Sequence, residues 1–247
     1  MMEKWEGKIA IVTGTSSGIG RAIAVRLVEA GVKVVGLARR EERGRELAAY
    51  LNGKKGEFHH ITADVTKEED VLNAYRWIEA NLGPVHILVN NAGNVKEGGL
   101  IDTDSSVLRE VFELNTLSVC MMTKDAVKMM RAHGIDDGHI VHINSVGGHV
   151  ILNNVNVYSA SKHAVTVLTE TLRRELNAMG SQIKISSVSP GVVDTEVYDN
   201  TVELKGMVEK MTTLKAEDVV DTVIFILSRP PHVQIHDIFV RPVNQPF

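Results

Sequence analysis

The most informative segment of the sequence is Ile9-Ala-Ile-Val-Thr-Gly14-Thr-Ser-Ser-Gly18-Ile-Gly20. A short apolar run, typical of a buried strand, ends at three closely spaced glycines, and Ile23, Leu27 and Val28 follow at helical spacing. A second apolar run, over 32–37, is rich in β-branched residues and completes a strand–helix–strand unit within about 30 residues. The sequence therefore predicts that the chain begins with a βαβ unit.

The same alternation continues along the chain. Helical periodicity covers 41–51, 67–82, 104–132 as one long helix, 158–176 and 216–227, and strand-like runs cover 57–62, 85–89, 138–143, 183–188 and 234–240. Strands that are apolar on both faces and alternate with helices are typical of a parallel sheet covered on both sides. We expect an α/β fold in which a Rossmann-type, doubly wound parallel sheet of about seven strands carries helices on both faces.

The predicted domain organisation is simple. With 247 residues, of which 44% are hydrophobic, the chain can bury one large core, so a single domain over 1–247 is expected. The regular pattern loosens over 192–214, which we interpret as a substrate loop with a short helix around 202–210.

Composition and charge exclude several classes of partner. The net charge is −4, from 27 basic and 31 acidic residues without a long run of either sign, so nucleic acid and anionic membranes are not expected as partners. No apolar run approaches the ~20 residues of a membrane span, and the chain begins without a signal peptide. Cys120 is the single cysteine and there is no Asn-X-Ser/Thr sequon, so we expect a soluble protein in a reducing, cytoplasmic compartment.

The three glycines between the first strand and the first helix indicate a nucleotide site. Glycines let the backbone approach a ligand closely, and a helix N-terminus offers free N–H groups and a positive dipole end to a pyrophosphate. The spacing of Gly14, Gly18 and Gly20 is G-x-x-x-G-x-G, which departs from the common fingerprint G-x-G-x-x-G. A reading in which they only form a tight turn stays open.

The end of the second strand predicts which dinucleotide binds. A carboxylate there would hydrogen-bond the ribose 2′-hydroxyl and repel a 2′-phosphate. Ala38 stands near that position, and Arg39 and Arg40 follow it. Two guanidinium groups without a carboxylate favour a phosphate, so the sequence predicts NADP(H). The alternative is that both arginines form the solvated start of the next helix.

Tyr158 and Lys162 form a candidate pair for proton transfer. They lie four residues apart in the first turn of a predicted helix and therefore on one face. At about 4 Å and an effective dielectric constant of about 20, an ammonium group would favour the phenolate by roughly 4 kcal/mol and bring its pKa near 7. Tyr50 and Lys54 share this spacing, but Gly53 places them at a predicted helix end in water, where no chemistry is expected.

These motifs, taken together, resemble the short-chain dehydrogenases/reductases whose subunits have about 250 residues. The resemblance covers essentially the whole chain and rests on the glycine turn together with Asp64-Val65, Asn90-Asn91-Ala92-Gly93, Asn115, Ser145, the Tyr158/Lys162 pair, and Pro190-Gly191 with Thr195. Four further stretches resemble the insect farnesol dehydrogenase-like branch and the vertebrate enzymes that reduce keto-steroids and dicarbonyls. They are Met2-Glu-Lys-Trp5, Gly36-Leu-Ala-Arg-Arg40, the run 137–145 and Val240-Arg-Pro-Val243.

The resemblance implies roles for individual residues. Tyr158 would transfer the hydroxyl proton, Ser145 would hydrogen-bond the substrate oxygen, and Lys162 would lower the pKa of the tyrosine and bind the nicotinamide ribose. Asn115 would support the lysine through a water molecule. Cofactor contacts are implied for Gly14, Ser16, Ser17, Gly18, Ile19, Gly20, Arg39, Arg40, Asp64, Val65, Asn91, Ala92, Gly93, Tyr158, Lys162, Pro190, Gly191, Val193 and Thr195. The family also implies a homodimer or homotetramer, paired through the helices that begin near 104 and 158.

The substrate is expected to reach the nicotinamide between three irregular segments, 95–100, 146–157 and 192–211. Their apolar residues would form a cleft for a lipophilic alcohol/carbonyl pair such as farnesol, a retinoid or a steroid: Val146, Val150, Ile151, Leu152, Val155, Val192, Val197, Met207 and Met211. Alternatively, these residues only close the core. A third possibility is a polar pocket for small carbonyls, decorated by His149, Asn153, Asn154 and Asn156.

Two further alternatives concern the type of site. His232 and His236 have the spacing of a helical metal pair, but Pro230-Pro231 precedes them and a strand is predicted next, so no metal site is expected. The chain could also be a dinucleotide-binding regulatory module without turnover. The complete set of Asn115, Ser145, Tyr158 and Lys162 favours an enzyme, because a binding module needs no proton donor.

Overall fold

The computed structural model describes residues 2–199 and 201–245. Over this part of the chain, seven strands form one parallel sheet in the order β3-β2-β1-β4-β5-β6-β7. The strands are β1 Ile9–Thr13, β2 Lys33–Ala38, β3 Glu57–Thr62, β4 Val85–Asn90, β5 His139–Ile143, β6 Lys184–Pro190 and β7 Asp237–Val240. The predicted doubly wound parallel sheet is confirmed.

Helices cover both faces of the sheet. They are α1 Gly18–Glu29, α2 Glu41–Leu51, α3 Glu68–Asn81, α4 Ser105–Phe112, α5 Ser118–Ala132, α6 Asn156–Ala178, α7 Val202–Val208 and α8 Ala216–Leu227. One core joins α1 and α8 to the sheet through residues such as Ile23 and Val223. The other joins α3, α5 and α6 to the opposite face through Ile78, Met122 and Leu176. Every described helix is too short or too polar to span a lipid bilayer.

The order of the strands determines where a ligand can bind. β1 pairs with β2 on one side and with β4 on the other. The sheet therefore grows in one direction from β1 to β3 and in the opposite direction from β4 to β7. At such a switch point the connections after adjacent strands diverge and leave a crevice at the carboxyl ends. The glycine turn after β1 and the Asn90–Gly93 segment after β4 therefore face each other.

Several predicted boundaries are confirmed, and one predicted helix is less regular than the sequence indicated. α2, β3 and α8 have the predicted bounds, whereas the helix predicted over 104–132 is interrupted by a π-helical turn, Glu113–Leu117. Neither glycine nor proline marks the interruption in the sequence. The side chain of Asn115 bonds to the backbone of Asn94 from this turn, so a tertiary contact favours the wider turn.

The last strand is shorter than predicted. β7 begins at Asp237, because side chains of β6 engage the carbonyl groups that precede it: Lys184 Nζ donates to Val233 O at 2.7 Å and Ser186 Oγ to Ile235 O at 2.6 Å. These bonds hold residues 233–235 against the sheet without making them part of its ladder.

Candidate active site

A cleft of about 730 Å³ lies at the carboxyl ends of the strands. Most of the predicted site residues line it: Gly14, Ser16, Ser17, Gly18, Ile19, Arg39, Arg40, Asp64, Val65, Asn91, Ala92, Gly93, Ser145, Tyr158, Lys162, Pro190, Gly191, Val193 and Thr195. Gly20 and Asn115 lie behind its wall. The fold thus brings residues from all the predicted motifs to one place.

The glycine turn fits a dinucleotide. Gly14 and Gly18 have φ angles of 75° and 52°, which disfavour other residues. A Cβ atom at Gly14 would lie 2.9 Å from Asn91 Nδ2, and one at Gly18 would lie 3.1 Å from Thr195 Cγ2. The side chain of Ser17 does not cap α1, so the first N–H groups of the helix remain open to an anion.

Asn91 ties the two walls of this half of the cleft together. Its Nδ2 donates to Thr13 O at 2.8 Å, and the backbone N–H groups of Asn91 and Ala92 both donate to Thr13 Oγ1 at 2.9 Å. The hydroxyl of Thr13 thereby fixes the start of the segment after β4 against the end of β1. Gly93, the next residue, is exposed to the cleft.

The two predicted arginines take different positions. Arg39 lies near Asp64. Burial acts to raise the pKa of Asp64, but hydrogen bonds from Thr66 and the charge of Arg39 lower it. Arg40 instead reaches the glycine turn, where it donates to Ser16 Oγ at 2.8 Å and Ser17 Oγ at 2.8 Å. Both arginines line the cleft at the end of β2, where the sequence predicted the 2′-phosphate.

Tyr158, Ser145 and Lys162 meet at the inner end of the cleft. The hydroxyl of Tyr158 hydrogen-bonds the side chain of Ser145, whose Oγ accepts a bond from Gly147 N at 3.0 Å. Lys162 Nζ lies 6.0 Å from the centre of the Tyr158 ring and donates to Ile143 O at 2.9 Å. Lys162 is buried, with 7% of its surface exposed, so this hydrogen bond is part of what keeps an ammonium group there.

The structure does not support the predicted lowering of the Tyr158 pKa. Burial raises the pKa of Tyr158 above its ordinary value, and only the hydrogen bond with Ser145 acts against it. The prediction assumed a lysine about 4 Å away, whereas Nζ is directed to a backbone carbonyl. Burial also lowers the pKa of Lys162 to about 8, which weakens its charge at alkaline pH.

Asn115 lies directly behind these residues. Its Nδ2 donates to Asn94 O at 2.9 Å and Ser161 Oγ at 3.1 Å, and its Oδ1 accepts from Asn94 N at 2.9 Å. A Cβ atom at Gly93 would lie 3.2 Å from Asn115 Oδ1 and 3.9 Å from Lys162 Nζ. The space that a side chain would enter at Gly93, the gap above Gly93, therefore borders both the amide of Asn115 and the amine of Lys162.

The second tyrosine–lysine pair shows what the spacing alone provides. Lys54 Nζ lies 5.8 Å from the centre of the Tyr50 ring, much as Lys162 does from Tyr158. Tyr50, however, is 55% exposed in the last turn of α2, and neither residue lines the cleft. Burial in a cleft, not the distance, distinguishes the two pairs, as the sequence predicted.

The substrate half of the cleft is mainly apolar. Of the predicted lining residues, all but Val150 line it: Val146, Ile151, Leu152, Val155, Val192, Val197, Met207 and Met211. Asn153 and Asn154 also line it. His149 does not, because its ring packs 4.5 Å from that of Phe239. The side chain of Asn156 lies outside those described.

Sequence reasoning missed several residues of this cleft, among them Tyr198, Glu97 and Glu196. Tyr198 lines it close enough to Tyr158 for the two to interact, and burial raises the pKa of Tyr198. Glu97 accepts a bond from Leu204 N at 2.6 Å and so fixes α7, while Glu196 pairs with Arg40 and Arg43. All three lie in segments without periodicity, where no local pattern of the sequence marks them.

Metal ligands do not cluster in the described residues. Over 2–199 and 201–245 there is no group of three or more histidine, cysteine, aspartate or glutamate residues that could hold a metal ion. His236, one of the two candidates, lies 3.4 Å from Glu170.

Residues 8–205 match the short chain dehydrogenase family. The chain belongs to this family. It is therefore an oxidoreductase, built on a fold that binds a nicotinamide dinucleotide. The predicted resemblance is confirmed, and the glycine turn, the Asn90–Gly93 segment and the Tyr158 cluster lie within the matched residues.

Similar proteins extend over the whole chain. It is 44% identical over 250 residues to "Farnesol dehydrogenase" of Aedes aegypti, with 100% of both sequences covered. It is 42% identical to "Dehydrogenase/reductase SDR family member 11" of Bos taurus, with 99% of both covered. A short chain dehydrogenase/reductase from Burkholderia phymatum, solved in complex with NAD, has a TM-score of 0.88 at 26% identity and covers 97% of this chain and 90% of its own.

Proposed function

We propose that the protein is an NADP(H)-dependent oxidoreductase that interconverts a lipophilic alcohol and its carbonyl compound. The observation that carries this proposal is the half-buried Tyr158, hydrogen-bonded to Ser145 and flanked by Lys162, where an apolar cleft meets the glycine turn. The whole of 1–247 would act as one domain, with 192–214 as the substrate loop. The set of four residues supports catalysis over a purely regulatory module.

The choice of NADP(H) rests on charge at the end of β2. Ala38 leaves that position without a carboxylate, and Arg39 and Arg40 follow it at the rim of the cleft. A phosphate binds guanidinium groups through charge-assisted, often bidentate hydrogen bonds. The structural relative from Burkholderia phymatum is described with NAD, so the preference has to come from these residues of this chain.

The cofactor supplies the hydride, and the residues of this chain supply position, a proton and stabilisation of charge. Ser145 Oγ accepts from Gly147 N, so its hydrogen remains to be donated to the substrate oxygen. Tyr158 would give its hydroxyl proton to that oxygen in reduction and take it back in oxidation. The raised pKa of Tyr158 keeps this proton in place at neutral pH.

Lys162 would replace the proton that Tyr158 gives away, and Asn115 would support Lys162 through a water molecule. Nζ of Lys162 and Oδ1 of Asn115 both face the gap above Gly93. We propose that a water molecule in this gap joins the two groups, and that Lys162 binds the nicotinamide ribose hydroxyls. Asn115 is the positioning residue here, held by the backbone of Asn94 at 2.9 Å.

The lipophilic substrate is supported by the composition of the cleft and by the relatives. The flexible side chains of Met207 and Met211 suit elongated apolar molecules. The Aedes aegypti relative is a farnesol dehydrogenase, so farnesol, a retinoid or a steroid is the proposed class. Asn153 and Asn154 favour a second candidate, a reductase of small polar carbonyls, because both line the same cleft.

Assembly and location complete the proposal. Leu117 is 53% exposed beside α5 and Val167 is 65% exposed on α6, which supports pairing of these helices in a homodimer or homotetramer. Light scattering coupled to size-exclusion chromatography tests this, and a monomer would contradict it. A reducing, cytoplasmic location is supported by Cys120, a thiol whose pKa burial raises.

The proposal is tested by steady-state kinetics on a matched panel. We expect oxidation of farnesol, retinol or a hydroxysteroid with NADP⁺ at a kcat/KM at least about tenfold above that with NAD⁺. The Arg39→Gln/Arg40→Gln double variant should lose this preference, while Arg45→Gln, on the exposed side of α2, should keep it. Equal efficiency with both cofactors would reject NADP(H), and faster turnover of small polar carbonyls would favour the second candidate.

A further inference from the structure

The carboxylate of Glu196 lies among anion-binding groups at the rim of the cleft. Its Oε1 and Oε2 accept from Arg43 Nη1 at 2.6 and 2.7 Å, and Oε2 accepts from Arg40 Nη1 at 3.1 Å. Arg40 also donates to Ser16 Oγ from Nε at 3.0 Å and from Nη2 at 2.8 Å, and to Ser17 Oγ at 2.8 Å. Two guanidinium groups therefore converge on one carboxylate, and the guanidinium of Arg40 also binds two serine hydroxyls.

These are the groups that a phosphate monoester binds. Arginine recognises phosphate and carboxylate through the same donor geometry. A serine hydroxyl that accepts from a guanidinium keeps its own hydrogen to donate to a further anion. Ser16, Ser17, Arg40 and Glu196 all line the cleft that Arg39 borders, so the carboxylate occupies part of the rim that a nucleotide phosphate would use.

Glu196 is ionised in this position. Its hydrogen bonds with Arg43 and then with Arg40 lower its pKa, although partial burial acts in the opposite direction. Both guanidinium groups are therefore paired with a charge of the chain itself before any nucleotide binds. A ligand that needs them has to replace that charge.

We propose that Glu196 is a specificity-determining residue, which competes with the 2′-phosphate of NADP(H) for Arg40 and Arg43. The inference rests on the NADP(H) preference proposed above. A phosphate monoester carries about −1.5 to −2 charges at neutral pH against −1 for a carboxylate, so the phosphate displaces Glu196. The affinity for the phosphate is lowered by the loss of the ion pairs of Glu196. NAD(H) carries a hydroxyl there and leaves the pairs intact. Glu196 thus narrows the difference in affinity between the two cofactors.

The test compares two nucleotides that differ only in the 2′-phosphate, adenosine 2′,5′-bisphosphate and 5′-AMP, by isothermal titration calorimetry. Glu196→Gln keeps the size of the side chain and removes its charge at a position with 43% of the side chain exposed, so the fold should be retained. We expect it to tighten binding of the bisphosphate by about threefold to tenfold and to change that of 5′-AMP by less than about twofold. Glu209→Gln, an exposed residue just after α7, is the matched control and should change neither.

The outcomes separate this inference from the cofactor proposal. If the parent protein binds the bisphosphate more tightly than 5′-AMP but Glu196→Gln leaves the bisphosphate affinity unchanged or weaker, the competition is wrong and the NADP(H) proposal stands. An equal gain for both nucleotides would show that Glu196 obstructs the cleft in general, which also overturns the inference. Equal affinity of the parent for the two nucleotides would reject the NADP(H) preference and the inference with it.

Discussion

Lys162 donates a hydrogen bond to the carbonyl oxygen of Ile143 across 2.9 Å. This bond directs the amine to the backbone at the end of β5, the strand that leads to Ser145. The distance from Nζ to the centre of the Tyr158 ring is 6.0 Å. Burial therefore raises the pKa of Tyr158, and only its hydrogen bond with Ser145 acts in the opposite direction.

The protonation of Tyr158 without cofactor is the first prediction. Because burial raises its pKa above the ordinary value of 10.0, Tyr158 should stay protonated up to about pH 9 in the cofactor-free protein. The measurement is a titration of tyrosinate absorbance near 295 nm, taken as the difference between the parent and Tyr158→Phe. A step in this difference near pH 7 would contradict the prediction and restore the direct effect of Lys162.

Lys162 should make the folding stability depend on pH. Burial lowers its pKa to about 8, against about 10.4 in an unfolded chain. Between these values the unfolded chain binds more protons, so the free energy of unfolding gains a contribution that rises with pH. Below about pH 8 the buried ammonium is unfavourable by on the order of 3 kcal/mol, and this cost is relieved as pH rises towards 10.

Lys162→Met isolates this contribution. The difference in unfolding free energy between the parent and Lys162→Met should shift in favour of the parent from pH 8 to pH 10, as measured by urea denaturation at fixed ionic strength. Lys54→Met controls for the loss of a lysine from an exposed site four residues after a tyrosine. If the difference in unfolding free energy stays constant from pH 8 to pH 10, Lys162 has the same charge in the folded and the unfolded protein, which would contradict the prediction.

Replacing Tyr158 by phenylalanine should separate binding from chemistry. The change removes the hydroxyl that bonds Ser145 and carries the proton, so kcat should fall about 100-fold or more, whereas the affinity for NADPH should change less than about threefold. Fluorescence titration gives the affinity and single-turnover kinetics gives the chemical step. Tyr50→Phe, at the exposed pair of equal spacing, should leave both unchanged. Full activity of Tyr158→Phe would assign the proton to another group.

The fold could be predicted because its signals are local. Apolar runs of strand length, helical periodicity and the glycine turn lie within short windows, which is why α2, β3 and α8 begin and end where the sequence indicated. The interruption at Glu113–Leu117 has no such signal. It depends on Asn94, which is 21 residues from Asn115 in the chain and meets it only after the sheet has formed.

The site could be predicted only in part, for the same reason. Motif residues such as Ser145 and Tyr158 carry their signal in type and spacing, but the direction of a pKa shift depends on burial and on where Nζ of Lys162 is directed. Glu196 is 156 residues from Arg40 and lies in an aperiodic segment. Its pairing with two guanidinium groups follows from the way the segment after β6 crosses the glycine turn, which no local pattern encodes.

The gap above Gly93 provides a test of the connection between Asn115 and Lys162. A methyl group at this position would lie 3.2 Å from Oδ1 of Asn115 and 3.9 Å from Nζ of Lys162, in the space where we propose a bridging water. Gly93 does not have a positive φ angle, so alanine should cost little backbone strain. We therefore expect Gly93→Ala to lower kcat about tenfold or more while shifting Tm by only a few degrees.

Gly99→Ala is the matched control for this substitution. Gly99 also lacks a positive φ angle, no atom lies within 4 Å of a Cβ built there, and the residue does not line the cleft. Its kcat and Tm should equal those of the parent. If Gly93→Ala keeps the parent kcat at every pH, the space between Asn115 and Lys162 is not used for proton transfer, and Asn115 serves only to hold the π-helical turn against Asn94.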